Sequence, residues 1–322
     1  MLMNGIYIHI PFCKKVCCYC DFHFTVSLKS KDNILISIGK ELIQRKDFLP
    51  SKNLDTLYFG GGTPSILSIS ELSSLLNLIH THFSVSDTAE ITLEANPDDI
   101  TPDYLSGLKS LGINRLSIGI QSFDDEDLKW MNRRHTAEEA ITSIKSSQDA
   151  GFNAMNIDLM YGLPNLTLKA WEKNLDTFLS LNVPHLSAYH LTIEPKTVLG
   201  YHKRMGRLTE IDEKESIAHY TSLIGKMKAN GYKHYEISNF CTDQNFSKHN
   251  TNYWKQGTYL GLGPSAHSYN GQSRQWNVSV NSNYMEALDA DQPFFETEHL
   301  TTNERFNDYL LTHLRTMWGA NF

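Results

Sequence analysis

Long apolar runs, basic clusters and cysteines that could pair are scarce in this chain of 322 residues. No apolar stretch approaches the ~18 residues of a membrane-spanning helix, and the N-terminus shows no leader pattern, so we predict neither a transmembrane segment nor a signal peptide. The 29 Lys and Arg are outnumbered by 36 Asp and Glu, which gives a net charge of −7. This balance argues against a nucleic-acid partner but leaves peripheral contact with a membrane open.

Cysteine is rare and unevenly placed. Only five cysteines occur; four lie between positions 13 and 20, and Cys241 stands alone. This distribution excludes a disulfide framework. It favours iron ligation in a reducing compartment, and we therefore expect a cytoplasmic protein.

The densest chemical signal is the run Cys13-Lys-Lys-Val-Cys17-Cys-Tyr-Cys20. The three numbered thiolates suit a tight loop around one [4Fe–4S] cluster, which normally takes four cysteine ligands. The missing fourth ligand leaves one iron open to a small molecule. Cys18 is predicted to point away from the cluster because it directly follows a ligand. A structural zinc site is the alternative, since His9 and His23 could complete its ligand set.

Apolar periodicity predicts that short strands alternate with amphipathic helices up to residue 192. The expected strands span 6–10, 56–59, 90–95, 115–120, 154–160 and 186–191, and the expected helices span 31–45, 137–150 and 166–181. Capping signals add helix starts at Ser68, with Glu71 three residues later, and at Thr101-Pro102. The alternation implies a parallel sheet, either an open barrel or a doubly wound sheet. It stops after residue 195, where helices are expected over 211–229 and 304–317.

The cysteine spacing, with Tyr19 before the last cysteine and Asp21-Phe22 after it, resembles the radical S-adenosylmethionine (SAM) superfamily. Within it, the pattern is similar to the branch of oxygen-independent coproporphyrinogen oxidases and heme chaperones. The resemblance implies an α/β fold, with a partial (βα)6 TIM-like barrel over 1–195 and a smaller α+β or helical region over 196–322. Members of the branch continue with a small winged-helix-like tail, so the C-terminal region is expected to be truncated. The resemblance also implies that SAM binds the open iron and is cleaved by an electron from the cluster.

A glycine-rich turn, Gly60-Gly61-Gly62-Thr63-Pro64, follows the second predicted strand. In parallel α/β folds ligands bind at the carboxyl ends of the strands, and glycine lets the backbone approach a ligand closely. Taken alone, the run could be a simple turn. The resemblance implies that Gly61, Gly62 and Thr63 receive the methionine ammonium group of SAM.

Polar side chains near strand ends are the remaining candidates for SAM binding. Glu94 ends the third strand, Gln121 ends the fourth, and Asp158 is the lone acid in an apolar strand, where an unpaired charge is costly. By resemblance these three hold polar groups of SAM, Arg133 grips its carboxylate and Tyr7 makes another contact. The first three could instead cap helices or bind backbone amides, and Arg133 could be a solvated helix residue.

The stretch His249-Asn-Thr-Asn-Tyr253-Trp254 resembles the HNxxYW motif of the heme chaperone family HemW. A neutral imidazole is a good axial ligand for heme iron, and Tyr253 and Trp254 offer flat faces to a porphyrin. The alternative for a histidine near aromatic residues is a hydrogen-bonded structural role. The later run from Gly261 to Ser268 is typical of the branch, but it assigns His267 no role.

Together these resemblances imply a heme chaperone that carries a [4Fe–4S] cluster and a SAM site. Its expected partners are heme, client hemoproteins such as respiratory enzymes, and an electron donor. The first alternative is an oxygen-independent coproporphyrinogen III oxidase. Such oxidases carry another cysteine where this chain has Phe22, and an N-terminal extension that is missing here. A radical SAM enzyme acting on an unrelated substrate is the second alternative, and all three are compatible with SAM cleavage.

Overall fold

Six parallel strands in sequence order form the centre of the fold, which the computed structural model describes over residues 3–243 and 245–321. The strands are β1 (Asn4–Ile10), β2 (Asn53–Gly61), β3 (Ser84–Ala95), β4 (Arg115–Gln121), β5 (Ala154–Tyr161) and β6 (His185–His190). The connecting helices are α1 (Lys31–Gln44), α2 (Ile69–His82), α3 (Pro102–Ser110), α4 (Asp125–Trp130), α5 (Ala137–Asp149) and α6 (Leu168–Ser180). A doubly wound sheet would reverse its strand order at a switch point, and this one does not. The predicted α/β fold of the partial-barrel type is therefore confirmed.

The remaining elements are strands that extend the same sheet at both edges and the helices between them. They are α7 (Val198–Arg204), α8 (Glu213–Ala229), β7 (Tyr232–Glu236), β8 (Asn239–Thr242), α9 (Lys248–Trp254), β9 (Thr258–Leu262), β10 (His267–Tyr269), β11 (Ser273–Asn277), α10 (Asn281–Asp289), β12 (Phe295–His299) and α11 (Thr302–His313). Strand β9 runs parallel to β1, and β10, β11 and β12 follow it in antiparallel order. On the other edge, β8 pairs antiparallel with β6. The division at residue 195 stays a prediction, because the sheet continues across it.

Local capping signals predicted helix starts well, because a cap depends only on neighbouring residues. Ser68 and Glu71 form a reciprocal capping box, and Thr101 caps α3 ahead of Pro102. Helix α11 begins earlier than predicted, and it ends at His313 because the chain then turns to bond with β7. Within the described ranges, no helix is long and apolar enough to cross a membrane.

Alternation along the central strands separates an apolar face from a polar one. On β5, Met155, Ile157 and Leu159 are fully buried in the apolar core with residues of the surrounding helices. Asn156 and Asp158, between them, face the interior of the barrel. Closed barrels of this type usually fill their interior with bulky apolar side chains. Here polar side chains such as Asn156 and Asp158 line a cavity instead, and this cavity can hold a ligand.

Candidate functional site

A cavity of about 330 Å³ lies at the carboxyl ends of the central strands, and its volume suits a small molecule. The cysteine loop after β1, the glycine turn after β2 and inward-facing side chains of β3 to β6 form its wall. The lining includes most of the predicted site residues, namely Cys13, Cys17, Cys20, Gly61, Gly62, Thr63, Glu94, Gln121, Arg133 and Asp158. Tyr7, His249, Tyr253 and Trp254 are not among the described residues that line it.

The cysteine loop turns three thiols toward the cavity and the fourth away from it. Cys18 is buried, and its Sγ lies 3.3 Å from the carbonyl oxygen of Trp130, outside the cavity. Its backbone N–H donates to the Met131 carbonyl at 3.2 Å, which fixes this orientation. Cys13, Cys17 and Cys20 line the cavity without Cys18, in keeping with the predicted ligand set.

The zinc alternative finds no support in the arrangement of His9 and His23. The His9 ring nitrogens lie 3.1 Å from the Tyr7 hydroxyl and 2.9 Å from the His23 carbonyl oxygen. His23 Nε2 lies 2.7 Å from the side chain of Asn281. Over the described ranges, no three Cys, His, Asp or Glu side chains come close enough together to hold a single metal ion. A four-iron cluster is wider than one ion, so thiols spread along a cavity wall suit a cluster better.

The environment of these thiols favours a bound cluster over free thiolates. Burial raises the pKa of Cys13 to about 11 and that of Cys20 to about 12. Metal ligation removes such protons, and the low dielectric of a buried site then strengthens the thiolate–metal attraction. Thr63 Oγ1 donates to Cys13 Sγ at 3.4 Å, and Arg133 Nη1 donates to Cys17 Sγ at 3.4 Å. Three sulfurs along one cavity wall, with hydrogen-bond donors beside two of them, fit a [4Fe–4S] cluster.

The glycine turn is packed so closely that side chains are excluded. A Cβ on Gly62 would lie 2.6 Å from the Phe12 carbonyl oxygen and 3.0 Å from Cys13 Sγ. Gly61 adopts φ +110°, and a Cβ there would lie 2.8 Å from the His9 ring. The turn is therefore more than a simple reversal of the chain, because its glycines let the backbone reach the cysteine loop.

Two carboxyl groups face the cavity from deep in the barrel. Glu94 accepts hydrogen bonds from the Tyr58 hydroxyl at 2.7 Å and from the Gly61 N–H at 3.2 Å. Burial raises the pKa of Glu94 to about 7 and that of Asp158 to about 6, although Asn156 donates to Asp158 at 2.7 Å. A cationic ligand group would stabilise both carboxylates, because an opposite charge favours the ionised form.

Arg133 is the cation that faces these acids, and it is not the solvated residue of the alternative. Its Nη2 donates to the Asn96 side chain at 2.7 Å and to the Gly119 carbonyl at 2.5 Å. Its Nε is buried without a hydrogen-bond partner among the described residues. Gln121 stands nearby at φ 69°, where the register of β4 shifts against β5. A cavity lined by a guanidinium and two carboxyl groups can complement the opposite charges of an amino acid.

Tyr7 and His249 lie behind the residues that line the cavity, and the contact roles expected for them stay predictions. The Tyr7 ring stacks on Tyr58 with centroids 6.0 Å apart. His249 is 1% exposed, with Nδ1 2.8 Å from Thr56 Oγ1 and Nε2 2.7 Å from the Tyr253 hydroxyl. Burial lowers the pKa of His249 to about 3, so its ring is neutral. In this conformation neither ring nitrogen is open to heme iron.

The other two motif residues, Tyr253 and Trp254, pack against neighbouring side chains. The Tyr253 ring packs against Tyr259 with centroids 4.5 Å apart, and Arg315 lies over the Trp254 ring at 5.4 Å. In this conformation the motif side chains contact one another and the sheet, and heme ligation by His249 stays a prediction.

Several polar cavity residues escaped sequence reasoning, among them Tyr58, Asn96, Asn156 and Asn250. Tyr58 and Asn156 lie two positions before Gly60 and Asp158 on the same strand faces, and Asn96 follows β3 directly, two positions after Glu94. The period of two along a strand could have found them. Asn250 follows His249, and nothing local indicates that it reaches the barrel interior.

Comparison with known proteins finds relatives along most of the chain. Residues 7–178 match the Radical SAM superfamily. The chain is 37% identical to the heme chaperone HemW of Bacillus subtilis, covering 99% of this chain and 85% of that protein. It is 37% identical to the heme chaperone HemW of Escherichia coli over 82% of this chain and 69% of that one. The coproporphyrinogen III oxidase HemN of Escherichia coli has the same fold, with a TM-score of 0.86 and 24% identity over 98% of this chain and 76% of that one.

Proposed function

Since the chain belongs to the radical SAM superfamily and, within it, to the family of HemW heme chaperones, we propose that it binds heme and delivers it to client hemoproteins. The observation that carries this proposal is the similarity to a heme chaperone along 99% of the chain. We propose further that the cavity holds a [4Fe–4S] cluster on Cys13, Cys17 and Cys20 together with SAM. Bound in this way, SAM can supply radical chemistry by reductive cleavage.

The roles of the cavity residues follow from their charges. Glu94, beside the Gly61 N–H, would accept the SAM ammonium group, and Gly62 and Thr63 would shape that end of the site. Arg133, which lines the cavity, would bind the carboxylate, since guanidinium pairs well with carboxylate. Gln121 and Asp158 would hold the remaining polar groups of SAM. Tyr7 would pack against Tyr58, behind the residues that bind SAM, rather than touch SAM itself.

Removing either charged wall residue should weaken SAM binding without removing iron. Arg133→Ala and Asp158→Ala should each cost about 1–3 kcal/mol, the scale for losing a hydrogen bond to a charged group. Equilibrium binding of SAM to the cluster-containing protein measures the loss. Arg134→Ala is the matched control, because Arg134 lies at the surface, paired with Asp98 at 3.0 Å. Unchanged SAM affinity in both test variants would refute these roles.

The structure favours His267 over His249 as the histidine that meets heme. His267 is exposed on β10, and its ring lies 6.4 Å from Trp276 at an angle of 32°. Partial burial lowers the pKa of His267, which favours the neutral imidazole that ligates iron. His267 also contributes to lowering the pKa of His9, so it lies near the cysteine loop. Exposure next to a flat aromatic ring is what an axial ligand for a porphyrin requires.

Heme titration of single variants tests this assignment. His267→Ala should lose the Soret band of ligated heme, whereas His249→Ala should retain it because His249 is enclosed. His299→Ala is the control, since His299 is exposed on β12 at the far edge of the sheet. Loss of heme from His249→Ala alone would instead show that α9 leaves the barrel and that the motif ligates heme directly. If the wild-type protein bound no heme, the chaperone proposal itself would fail.

A further inference from the structure

Helix α9 is fixed inside the open barrel by interactions at its first turn. The Lys248 and His249 N–H groups donate to the Glu90 carboxylate at 3.0 and 2.9 Å. Ser247 caps the same turn by accepting from the Asn250 N–H. The anchoring carboxylate belongs to β3, the strand that also carries Glu94. The position of the motif is therefore tied to the strand that bears a cavity acid.

His249 has hydrogen-bond partners on two elements, so its ring has a single orientation. Thr56 Oγ1 on β2 lies at Nδ1, and the Tyr253 hydroxyl on α9 lies at Nε2. A neutral imidazole donates through one nitrogen and accepts through the other, which these two hydroxyl groups satisfy. The His249 ring is therefore held rigidly behind the residues that line the cavity.

The His249 ring supports Tyr58, whose hydroxyl reaches the cavity. The rings of His249 and Tyr58 are stacked, with centroids 4.9 Å apart and an interplanar angle of 24°. The Tyr58 hydroxyl donates to Glu94 Oε1 at 2.7 Å. Tyr7 stacks on Tyr58 and on His249 as well, which restrains the tyrosine further. An unbroken chain of contacts thus runs from the motif helix to the acid proposed to bind SAM.

We propose that His249 is a positioning residue of the SAM site, which holds Tyr58 by stacking and thereby fixes the Glu94 carboxylate toward the cavity. The proposal rests on the proposed binding of SAM by Glu94. Without the His249 ring, Tyr58 would be free to rotate. The Glu94 carboxylate would then lose the hydrogen bond from the Tyr58 hydroxyl that orients it toward the cavity. The motif stretch therefore serves the SAM site whether or not it also meets heme.

A double-mutant cycle on SAM affinity tests the coupling. His249→Ala should raise the SAM dissociation constant by about tenfold, the scale of one hydrogen bond, with cluster iron retained. Tyr58→Phe should have a similar effect, and the double variant should be little worse than either single one. His249→Phe, which keeps a stacking ring, should restore most of the affinity. A merely structural role would give neither the rescue nor the non-additivity.

Controls separate this inference from the proposals on which it depends. Lys248→Ala should bind SAM like the wild type, because its side chain contacts only the Thr88 carbonyl at the surface. If His249→Ala does not fold, His249→Gln takes its place, since it retains a hydrogen-bonding group but no ring. Unchanged SAM affinity in a folded variant, or additive effects with Tyr58→Phe, would overturn the inference alone. A wild-type protein that bound no SAM would instead refute the SAM site.

Discussion

Replacing Cys13, Cys17 or Cys20 by serine should remove essentially all bound iron and the brown absorbance of the protein. The three thiols line one cavity, and none has a substitute, since the Cys18 thiol is turned toward the Trp130 carbonyl. A serine hydroxyl is a poor replacement because iron–sulfur clusters are held by thiolates. Iron analysis and the visible spectrum after anaerobic reconstitution give the measurement.

Cys18→Ser is the matched control for these three variants. It lies within the same loop, yet its sulfur is outside the cavity, so iron and absorbance should stay at the wild-type level. The ligand assignment would be wrong if Cys18→Ser alone emptied the site. It would also be wrong if one of the other three variants kept a full cluster.

Local patterns were sufficient to predict the central strands and several cavity residues. Period-two apolar runs mark the strands because one face of each packs under helices, and the capping boxes are local by nature. Glu94 and Asp158 were identifiable because parallel strands bring their carboxyl ends to one edge. Arg133 required the family resemblance, since nothing nearby distinguishes it from the exposed Arg134.

The position of His249 could not be predicted from its neighbours. It is buried because α9 docks on β2 and β3 from more than 150 positions away in the sequence, through Thr56 and Glu90. The motif pattern shows aromatic residues next to a histidine, but not whether they face solvent or one another. The extension of the sheet by β9 likewise depends on its pairing with β1, which no local signal reveals.

The wild-type protein should not decarboxylate coproporphyrinogen III. Oxidases of the same branch are expected to carry a further cysteine two positions after the third, and this chain has Phe22 there. The Phe22 side chain lines the cavity and offers no thiol or other proton-transferring group. A porphyrinogen bound in the cavity would therefore meet no thiol at this position, and its propionate side chains should not be decarboxylated.

One experiment tests the chaperone account most directly. It follows heme and coproporphyrinogen III with the same preparation, the anaerobic protein with its cluster, SAM and a reductant. Heme should bind stoichiometrically and then pass to an apo-hemoprotein, while coproporphyrinogen III should be recovered unchanged. Catalytic formation of protoporphyrinogen, with no transfer of heme, would contradict the account and make the protein an oxidase.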